Sequence, residues 1–214
     1  MSEGREGNDS LEDLRAEIAR LRQENEKLRA SNRRWMRIAG TDDLTGLPNK
    51  VYFSSVILPQ VISQAKAGGE SFVCIIVTPD KLGEINQNYG RTAGDQVVCD
   101  MAKFLKEHIE KNEKIIHSDG ANFILLIPNG GEEACKRRTR QMRARIVSRQ
   151  FECGSSSVSL TLSMGTVIVE PDPFNEAIQA KDVADQIMHR LSAALDQVKK
   201  AGGDQIVDGE AMKC

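Results

Sequence analysis

Apolar residues near the N-terminus of the chain recur at alternating steps of three and four. This spacing is a heptad repeat, and it predicts a helix whose apolar seam packs against a second helix. The seam consists of Leu11, Leu14, Ile18, Leu21, Asn25, Leu28, Asn32 and Trp35. Asn25 occupies an a position, where a buried asparagine is best satisfied by its twin in a parallel, in-register pair. The pattern therefore predicts a parallel coiled-coil homodimer over residues 10–39.

Charged residues beside this seam also favour a parallel pair. Glu17 and Glu24 occupy g positions. They face Arg22 and Arg29 at the e positions of the neighbouring helix, a match that an antiparallel pair would lose. No basic block precedes the seam, which argues against a DNA-binding zipper. A single amphipathic helix that packs on its own domain is the alternative.

Beyond Gly40, the pattern alternates between strands and helices. A continuously apolar run at 71–78 predicts a buried strand, and an apolar stripe within 90–110 predicts an amphipathic helix. Further helices are predicted at about 49–67, 131–149 and 180–201, and further strands at 114–117, 122–128, 158–169 and 205–207. This alternation predicts an α/β fold with a central sheet flanked by helices over residues 41–208. Residues 1–9 are predicted to be disordered, and residues 209–214 to form a tail.

Composition narrows the classes of function. A chain of 214 residues with 40% hydrophobic content suits one globular domain with an N-terminal arm. The 29 basic and 31 acidic residues leave a net charge of -2, which favours neither a nucleic acid nor a membrane as partner. No apolar run approaches the ~20 residues that span a bilayer. The five cysteines are scattered and never spaced as Cys-x-x-Cys, so they predict neither a disulfide framework nor a zinc site. A cytoplasmic protein without a cofactor is expected.

The second unit opens with the sequence TDDLTGLPNK at residues 41–50. This stretch resembles the Asp-x-Leu-Thr-Gly-Leu-x-Asn-Arg opening of GGDEF domains, the diguanylate cyclase family, with Lys50 in place of Arg. The family's Ser-x-Gly strand is echoed at 163–165, and its terminal Ala-Leu-x-x-x-Lys-x-x-Gly pattern at 194–202. The resemblance covers roughly residues 41–208, and it implies a palm-like central sheet.

The resemblance also implies a guanine-binding pocket. The family pattern Asp-x-Asp-x-Phe-Lys-x-Ile-Asn-Asp-x-x-Gly-His-x-x-Gly-Asp aligns with TPDKLGEINQNYGRTAGD at residues 78–95. Asn86 and Asp95 then match the side chains that bind the guanine edge, where a carboxylate accepts from the purine N–H groups. Lys199 matches a phosphate-contacting lysine, and Gly203 replaces a second basic contact. Alternatively, Asn86 and Asp95 are cap and turn residues, and Lys199 is a solvated surface side chain.

The family's catalytic side chains are missing. Its Gly-Gly-Asp/Glu-Glu-Phe signature reads Asp-Gly-Ala-Asn-Phe at residues 119–123, so Ala121 and Asn122 replace the acidic pair. Thr78 replaces the first metal-binding aspartate, which leaves Asp80 as a lone carboxylate. Magnesium ions that bridge triphosphate oxygens need hard, anionic oxygen ligands. The sequence therefore predicts no catalytic residue and no metal site.

The family's product-inhibition motif, Arg-x-x-Asp, is also altered. It corresponds to Glu110-Lys111-Asn112-Glu113 in this chain. A glutamate in place of the arginine repels the phosphate of a cyclic dinucleotide instead of binding it. High-affinity binding of cyclic di-GMP is therefore not expected at this motif, and a different surface stays open.

A dense group of basic residues lies within the helix predicted at 131–149. Its members are Lys136, Arg137, Arg138, Arg140, Arg143, Arg145 and Arg149. Such a face suits an acidic protein surface or a phosphate backbone. Nucleic acid is the less favoured partner, because no aromatic residues alternate with the arginines. The candidate partner-binding residues are Arg137, Arg138, Arg140, Arg143 and Arg145, and a solvated outer face is the alternative.

Together these patterns predict a bacterial-type signalling protein that resembles a degenerate, catalytically inactive GGDEF domain. The leading hypothesis is a dimeric adaptor that regulates an unidentified signalling protein by binding it. The alternative is a sensor that binds GTP or GDP without turnover through Asn86, Asp95 and Lys199. Residual cyclase activity and a cyclic di-GMP effector role are further alternatives.

Overall fold

The chain folds into two compact units, Met1–Ala39 and Gly40–Cys214. The computed structural model describes residues 3–153, 156–172, 179–209 and 211–214, and for residues 3–13 and 32–38 it describes the backbone only. The first unit is one helix, α1 (Glu3–Ile38). Because α1 begins at Glu3, residues 3–9 are helical, whereas the sequence predicted them to be disordered.

The seam of α1 is exposed to solvent where its side chains are described. Leu14, Ile18, Leu21 and Leu28 are 56%, 47%, 51% and 64% exposed. Asn25 is exposed on the same helix. Leu11, Asn32 and Trp35 lie outside the residues whose side chains are described. Exposed leucines at a and d spacing are what a helix presents before it pairs.

The second unit alternates helices and strands in the predicted order. Its helices are α2 (Lys50–Tyr52), α3 (Leu58–Gly68), α4 (Leu82–Tyr89), α5 (Arg91–His108), α6 (Glu132–Val147) and α7 (Ala180–Lys200), with a π-helical turn at Phe53–Ile57. Its strands are β1 (Phe72–Pro79), β2 (Lys114–Asp119), β3 (Asn122–Ile127), β4 (Gln150–Cys153), β5 (Ser156–Ser159), β6 (Leu162–Glu170), β7 (Ile206–Asp208) and β8 (Met212–Lys213). None of the described helices has the length and apolar character needed to cross a membrane.

The main sheet has the strand order β2-β3-β1-β6-β7, with β8 also paired to β6. Strand β1 runs antiparallel to both neighbours, so that Val77 lies opposite Phe123 on β3 and Met164 on β6. Helices cover both faces of the sheet, and every residue of β1 is buried. This explains why the sequence of β1 is apolar without alternation. The α/β architecture with a central sheet flanked by helices is confirmed.

Side chains of β1 alternate between two hydrophobic layers. Val73, Ile75 and Val77 pack in a core that includes residues of α5 and α6, among them Met101 and Met142. The intervening residues of β1, Phe72, Cys74 and Ile76, pack in a second core. This core includes Leu58 and Ile62 of α3 and Ile187 and Leu191 of α7. Successive strand residues point to opposite faces, so one strand supports both layers.

Gly165 on β6 brings α7 close to the sheet. A Cβ atom at this position would lie 2.6 Å from the Cβ of Ala194 on α7. Real Cβ atoms do not approach so closely, so only glycine allows this packing distance. The contact matters for the site, because the last turn of α7 carries Lys199.

Two predictions for the C-terminal half of the chain differ from the structure. The strand predicted at 158–169 is interrupted, because β5 pairs with β4 in a separate hairpin and β6 begins only at Leu162. The predicted tail is also wrong for its last residues: Met212 and Lys213 extend the sheet beside β6. Met212 and Cys214 are buried there, so the C-terminal residues are part of the core.

Candidate functional site

A cavity of about 510 Å³ opens where β1 ends. Its wall combines the end of β1, the first turn of α4, the β2–β3 turn and the end of α7. The lining residues are Thr78, Pro79, Asp80, Lys81, Leu82, Gly83, Glu84, Gly120, Ala121, Asn122, Lys199, Gly202 and Gly203. The fold therefore brings the substituted metal positions together with the predicted phosphate-contacting lysine.

The signature hairpin, residues Asp119–Phe123, is held by its own side chains. Asn122 Nδ2 donates a hydrogen bond of 2.6 Å to Asp119 Oδ1, and Lys50 Nζ donates one of 3.2 Å to Asp119 Oδ2. Partial burial raises the pKa of the Asp119 carboxyl, but Asn122 and Lys50 outweigh this effect and hold the pKa below its ordinary value. Gly120 adopts a positive φ of 55° in the turn. Both Asn122 and Asp119 are thus engaged within the hairpin.

Asp80 accepts three hydrogen bonds from the protein itself. Thr161 Oγ1 donates to Asp80 Oδ2 at 2.6 Å, and Ser163 Oγ donates to Asp80 Oδ1 at 2.5 Å. The backbone N–H of Asp204 donates to Asp80 Oδ2 at 2.9 Å. The break between β5 and β6 serves this arrangement, because the carbonyl of Thr161 also accepts from the Asp80 N–H at 3.0 Å. The carboxylate therefore ties three segments of the chain together.

The turn after α7 closes directly on Asp80. Gly203 has a positive φ of 83°, and a Cβ atom there would lie 2.8 Å from Asp80 Oδ1. Arg143 on α6 holds the next residue, since its Nε donates to Asp204 Oδ1 at 3.0 Å and its Nη2 to the Asp204 carbonyl at 2.8 Å. Arg143 was predicted to contact a partner. Its guanidinium instead supports the wall of the cavity.

The residues at the family's magnesium positions do not fit magnesium. Thr78 is 5% exposed and pairs with Ser163 in the sheet, and Ala121 and Asn122 carry no charge. Asp80 has an anionic oxygen, but its carboxylate already accepts three hydrogen bonds. Magnesium binds through carboxylates and demands near-octahedral oxygen geometry. Within the described part of the chain, no group of three or more His, Cys, Asp or Glu side chains is placed to hold a metal.

Asn86 and Asp95 lie on either side of the turn at Gly90, at the end of α4 and the start of α5. Both are exposed, and neither lines the cavity that contains Lys199. Gly94 leaves room for the Asn86 side chain, because a Cβ at this glycine would lie 1.8 Å from Asn86 Oδ1. Helix α5 has no side-chain cap. Neither Asn86 nor Asp95 therefore caps α5 through its side chain, and the rest of the alternative, that they are turn residues, stays a prediction.

A further cavity of about 540 Å³ contains the residues that replace the product-inhibition motif. Glu110 Oε2 lies 3.5 Å from Arg137 Nη2, and Glu113 Oε2 lies 2.8 Å from Arg138 Nη2. Arginines of α6 thus neutralise both glutamates. The acidic substitutions are matched inside the domain, so the predicted repulsion of a phosphate is weaker than the sequence indicates.

Arg138 is not available to a partner protein. It is 2% exposed, and its Nη2 donates to Glu113 at 2.8 Å and to the carbonyl of His108 at 2.8 Å. The prediction failed because Arg138 lies on the buried stripe of α6. This stripe consists of Cys135, Arg138, Thr139, Met142 and Ile146. Their helical spacing was visible in the sequence and is the signal that would have placed Arg138 inside.

The rest of the basic helix is only partly free. Lys136 pairs with Glu132. Arg149 pairs with Glu107 at 3.0 Å and stacks its guanidinium over the rings of Phe104 and Phe151. Arg140 and Arg145 are exposed and make no ion pair within the described residues. The basic surface open to a partner therefore centres on Arg140 and Arg145, and Arg137 is exposed but in contact with Glu110.

Sequence reasoning missed His117, which links the signature hairpin to the opening of the second unit. The ring lies between Asp42 and Gly120: Nδ1 is 2.8 Å from Asp42 Oδ1, and Nε2 is 2.9 Å from the Gly120 carbonyl oxygen. Thr45 also donates to Asp42 Oδ1, through its backbone N–H and its hydroxyl. Asp42 is remote from His117 in the sequence, so no local pattern reveals the contact.

Comparison with known proteins identifies a family profile described as "Diguanylate cyclase, GGDEF domain", which matches residues 39–205. The diguanylate cyclase DgcP of Pseudomonas aeruginosa is 28% identical over 166 residues, which are 78% of this chain and 23% of that protein. The diguanylate cyclase DosC of Escherichia coli K12 is 25% identical over 153 residues, or 71% of this chain and 33% of that protein. The chain thus spans a third or less of these relatives.

Solved structures share the fold. The coiled coil and GGDEF domain of DgcB from Caulobacter crescentus, in complex with c-di-GMP, aligns with a TM-score of 0.69 at 24% identity, covering 92% of this chain and 99% of that one. Diguanylate cyclase SiaD of Pseudomonas aeruginosa, in complex with its activator SiaC, aligns with a TM-score of 0.68 at 22% identity, covering 97% and 79%. At these identities the alignments establish the architecture.

Proposed function

Since the chain belongs to the diguanylate cyclase GGDEF domain family, we propose that it is a catalytically inactive member whose function is regulation by binding. The observation that carries this proposal is the state of Asp80. Its carboxylate accepts hydrogen bonds from Thr161, Ser163 and the backbone of Asp204. The other metal positions of the family hold Thr78, Ala121 and Asn122, which have no carboxylate.

Turnover of GTP would require the charge of the transition state to be neutralised. Phosphoryl transfer depends on positioning and on neutralising the charge of the transferring group. To bind a metal, Asp80 would give up hydrogen bonds to a charged acceptor, each contributing about 1.5–3 kcal/mol. Lys199 is a single cation at the cavity and does not replace a pair of bridging ions. The residues therefore support binding without turnover.

A homodimer is the proposed state of the protein. The described seam residues of α1 expose their apolar side chains, and burying a leucine or isoleucine contributes about 1.5–3 kcal/mol. Asn25 at an a position favours a parallel pair in register. Such a dimer presents two GGDEF domains at a set spacing, which raises avidity for a partner that engages both.

The proposed partner is a signalling protein with an acidic surface. Arg137, Arg140 and Arg145 are exposed on α6 and supply the complementary charge. SiaD, which shares the fold, was solved in complex with its protein activator, a precedent for such an assembly. The scattered free thiols are consistent with a reducing cytoplasm as the proposed location.

The test of inactivity is incubation of the full chain with GTP and magnesium or manganese, followed by chromatography of the nucleotides. An active diguanylate cyclase is the positive control. We expect GTP to remain intact. The Asp80→Ala variant is the matched negative control, because product that persists in it comes from a contaminating enzyme. Cyclic di-GMP formed by the native chain and lost in Asp80→Ala would overturn the proposal.

A second candidate function is a guanine-nucleotide sensor. The observation that favours it is the freedom of Asn86 and Asp95, which are exposed and do not cap α5. Gly94 keeps space for Asn86, and Lys199 lines the neighbouring cavity. Calorimetric titration of GTP, and separately of cyclic di-GMP, tests this function. Binding of intact GTP that is lost in Asp95→Ala and kept in the control Asn88→Ala supports it.

A further inference from the structure

The charges around the cavity at the end of β1 are unequally paired. The carboxylate of Asp80 accepts three hydrogen bonds, and that of Asp119 is bound by Asn122 and Lys50. Lys81 and Lys199 also belong to this region, and both line the cavity. Within the described residues, neither of these two ammonium groups forms an ion pair, although the charge of Lys199 helps to lower the pKa of the Asp119 carboxyl.

The backbone adds to this positive character. Helix α4 starts after Lys81, which has a positive φ of 62° and offers no side-chain cap. The backbone N–H of Ile85 donates to the carbonyl of Lys81. The N–H groups in the first turn of α4, which include that of Gly83, therefore have no intrahelical partner. Glu84 is the opposing charge in this turn, and it is exposed to solvent.

We propose that this cavity binds the phosphate groups of a guanine nucleotide directly, without a divalent cation. The inference rests on the second candidate function, nucleotide binding without turnover. Thr78 and Asn122 give a divalent ion no charged ligand, so the ion has no anchor on the protein. Lys81 and Lys199 take over the neutralisation of the phosphates. An ammonium group is a point charge that suits phosphate oxygens.

This arrangement reverses the usual effect of magnesium. In a site with acidic metal ligands, the ion bridges two anions and strengthens binding. Here the ion would cancel part of the nucleotide's charge and weaken its attraction to Lys81 and Lys199. GTP is therefore expected to bind at least as tightly in EDTA as in magnesium, and its affinity is expected to fall with added salt.

The experiment titrates GTP into the full chain by calorimetry, once in EDTA and once in magnesium. Lys199→Ala and Lys81→Ala are each expected to weaken binding in EDTA by about tenfold, the loss of one charge-assisted hydrogen bond. Lys200→Ala is the matched control, because Lys200 is exposed on the same helix and does not line the cavity. Inorganic tripolyphosphate is expected to compete with GTP.

A second variant tests the role of the lost carboxylates. Thr78→Asp combined with Asn122→Glu returns acidic ligands to the cavity, and we expect it to weaken GTP binding in EDTA and to make binding depend on magnesium. Thermal unfolding checks that this variant is folded. If the variant does not fold, the lysine variants still test the site, because they change only surface residues.

The outcomes distinguish metal-free recognition from the sensor function on which it rests. GTP binding in EDTA that is lost in Lys199→Ala and kept in Lys200→Ala supports metal-free recognition. Binding by the native chain only in magnesium would overturn metal-free recognition and leave the sensor function standing. No binding under either condition would overturn both, and the adaptor function would not be affected.

Discussion

His117 Nδ1 lies 2.8 Å from Asp42 Oδ1, and this contact joins the opening turn of the GGDEF domain to the signature hairpin. The other ring nitrogen, Nε2, lies 2.9 Å from the carbonyl oxygen of Gly120. Both oxygen atoms accept hydrogen bonds, so each ring nitrogen of His117 faces an acceptor. The side chain of His117 is 6% exposed, which shields these contacts from water.

We expect the contribution of Asp42 to the free energy of unfolding to depend on pH. Partial burial raises the pKa of its carboxyl, but hydrogen bonds from Thr45 and the contact with His117 outweigh this and lower the pKa below its ordinary value. A lowered folded-state pKa adds stability above the unfolded pKa, and this stability is lost as the pH falls through the folded value. Asp42→Asn should therefore cost about 1–2 kcal/mol near pH 7.

Urea denaturation of the native chain and Asp42→Asn, repeated between neutral pH and about pH 3, measures this cost. The difference in the free energy of unfolding should shrink below about pH 4 as the native carboxylate becomes protonated. Asp43→Asn is the control, because Asp43 is the exposed neighbour. A difference that is independent of pH would show that the Asp42 charge does not stabilise the domain.

The buried pair of Arg138 and Glu113 predicts a large loss of stability. Their side chains are 3% and 4% exposed, and the nitrogen and oxygen lie 2.8 Å apart. Removing one partner leaves an uncompensated buried charge, so Arg138→Ala should lower the free energy of unfolding by about 3–5 kcal/mol. Chemical denaturation measures it. Arg140→Ala, on the exposed face of the same helix, should change it by less than about 0.5 kcal/mol. Equal effects of both variants would contradict this role of Arg138.

The proposed coiled-coil dimer predicts how association responds to single substitutions. Leu21→Asp places a charge in the seam and should convert the dimer to a monomer, because a charge cannot be buried unpaired. Gln23→Asp introduces the same residue at an outer heptad position and should leave the dimer intact. Light scattering after size-exclusion chromatography gives the mass of each. A native chain that is monomeric at all concentrations would refute the dimer.

Asn25→Leu tests separately whether this asparagine specifies a single state of association. A buried asparagine fixes register at a cost in stability. The leucine variant should therefore melt at a higher temperature and associate in more than one state. Thermal melts and light scattering report both effects. A higher melting temperature with an unchanged dimer would show that Asn25 is not needed for specificity.

The contact between Gly203 and Asp80 predicts a position-specific effect of alanine. Gly203 and Gly69 both have positive φ, at 83° and 72°. A Cβ at Gly69 meets nothing within 4 Å, whereas one at Gly203 would lie 2.8 Å from Asp80 Oδ1. Both alanine variants carry the backbone penalty of about 1–2 kcal/mol. Gly203→Ala should lose additional stability, and equal losses by denaturation would refute the steric contact.

Replacing Gly94 by alanine should weaken ligand binding without lowering stability. Alanine favours a helix over glycine by up to about 1 kcal/mol, but its Cβ here would displace the side chain of Asn86. Gly94→Ala should therefore keep a melting temperature near that of the native chain and lose affinity for GTP. Calorimetry and thermal unfolding measure the two properties. Unchanged affinity for GTP would show that Asn86 does not take part in binding.

Several elements were predictable from local pattern. The apolar run of β1 and the amphipathic stripe of α5 require only their own residues, and both elements form close to the predicted bounds. Helix α4 was missed because Ile85 is its only buried residue, which is too weak a periodic signal. Strand β8 was missed because a two-residue strand is defined by its pairing with β6 and not by its own composition.

For the candidate site, the sequence supplied the residue identities, and only the structure supplied their contacts. The sequence shows which family positions lack a carboxylate, since that is a matter of side-chain chemistry. The roles of Asp80 and Arg143 depend on contacts with residues far along the chain, at Thr161, Ser163 and Asp204. No local pattern contains such contacts.

By itself, the sequence determined the heptad seam, the order of the main strands and helices, the family resemblance and the residue types at the positions that this resemblance aligns with the family's metal ligands. These depend on residue type and spacing along the chain. The tertiary structure alone decided which arginines of α6 face the interior, that Asp80 accepts three hydrogen bonds from the protein and that His117 joins Asp42 to the signature hairpin. Packing brings residues remote in sequence into contact, and hydrogen bonds and ion pairs act only at contact distance.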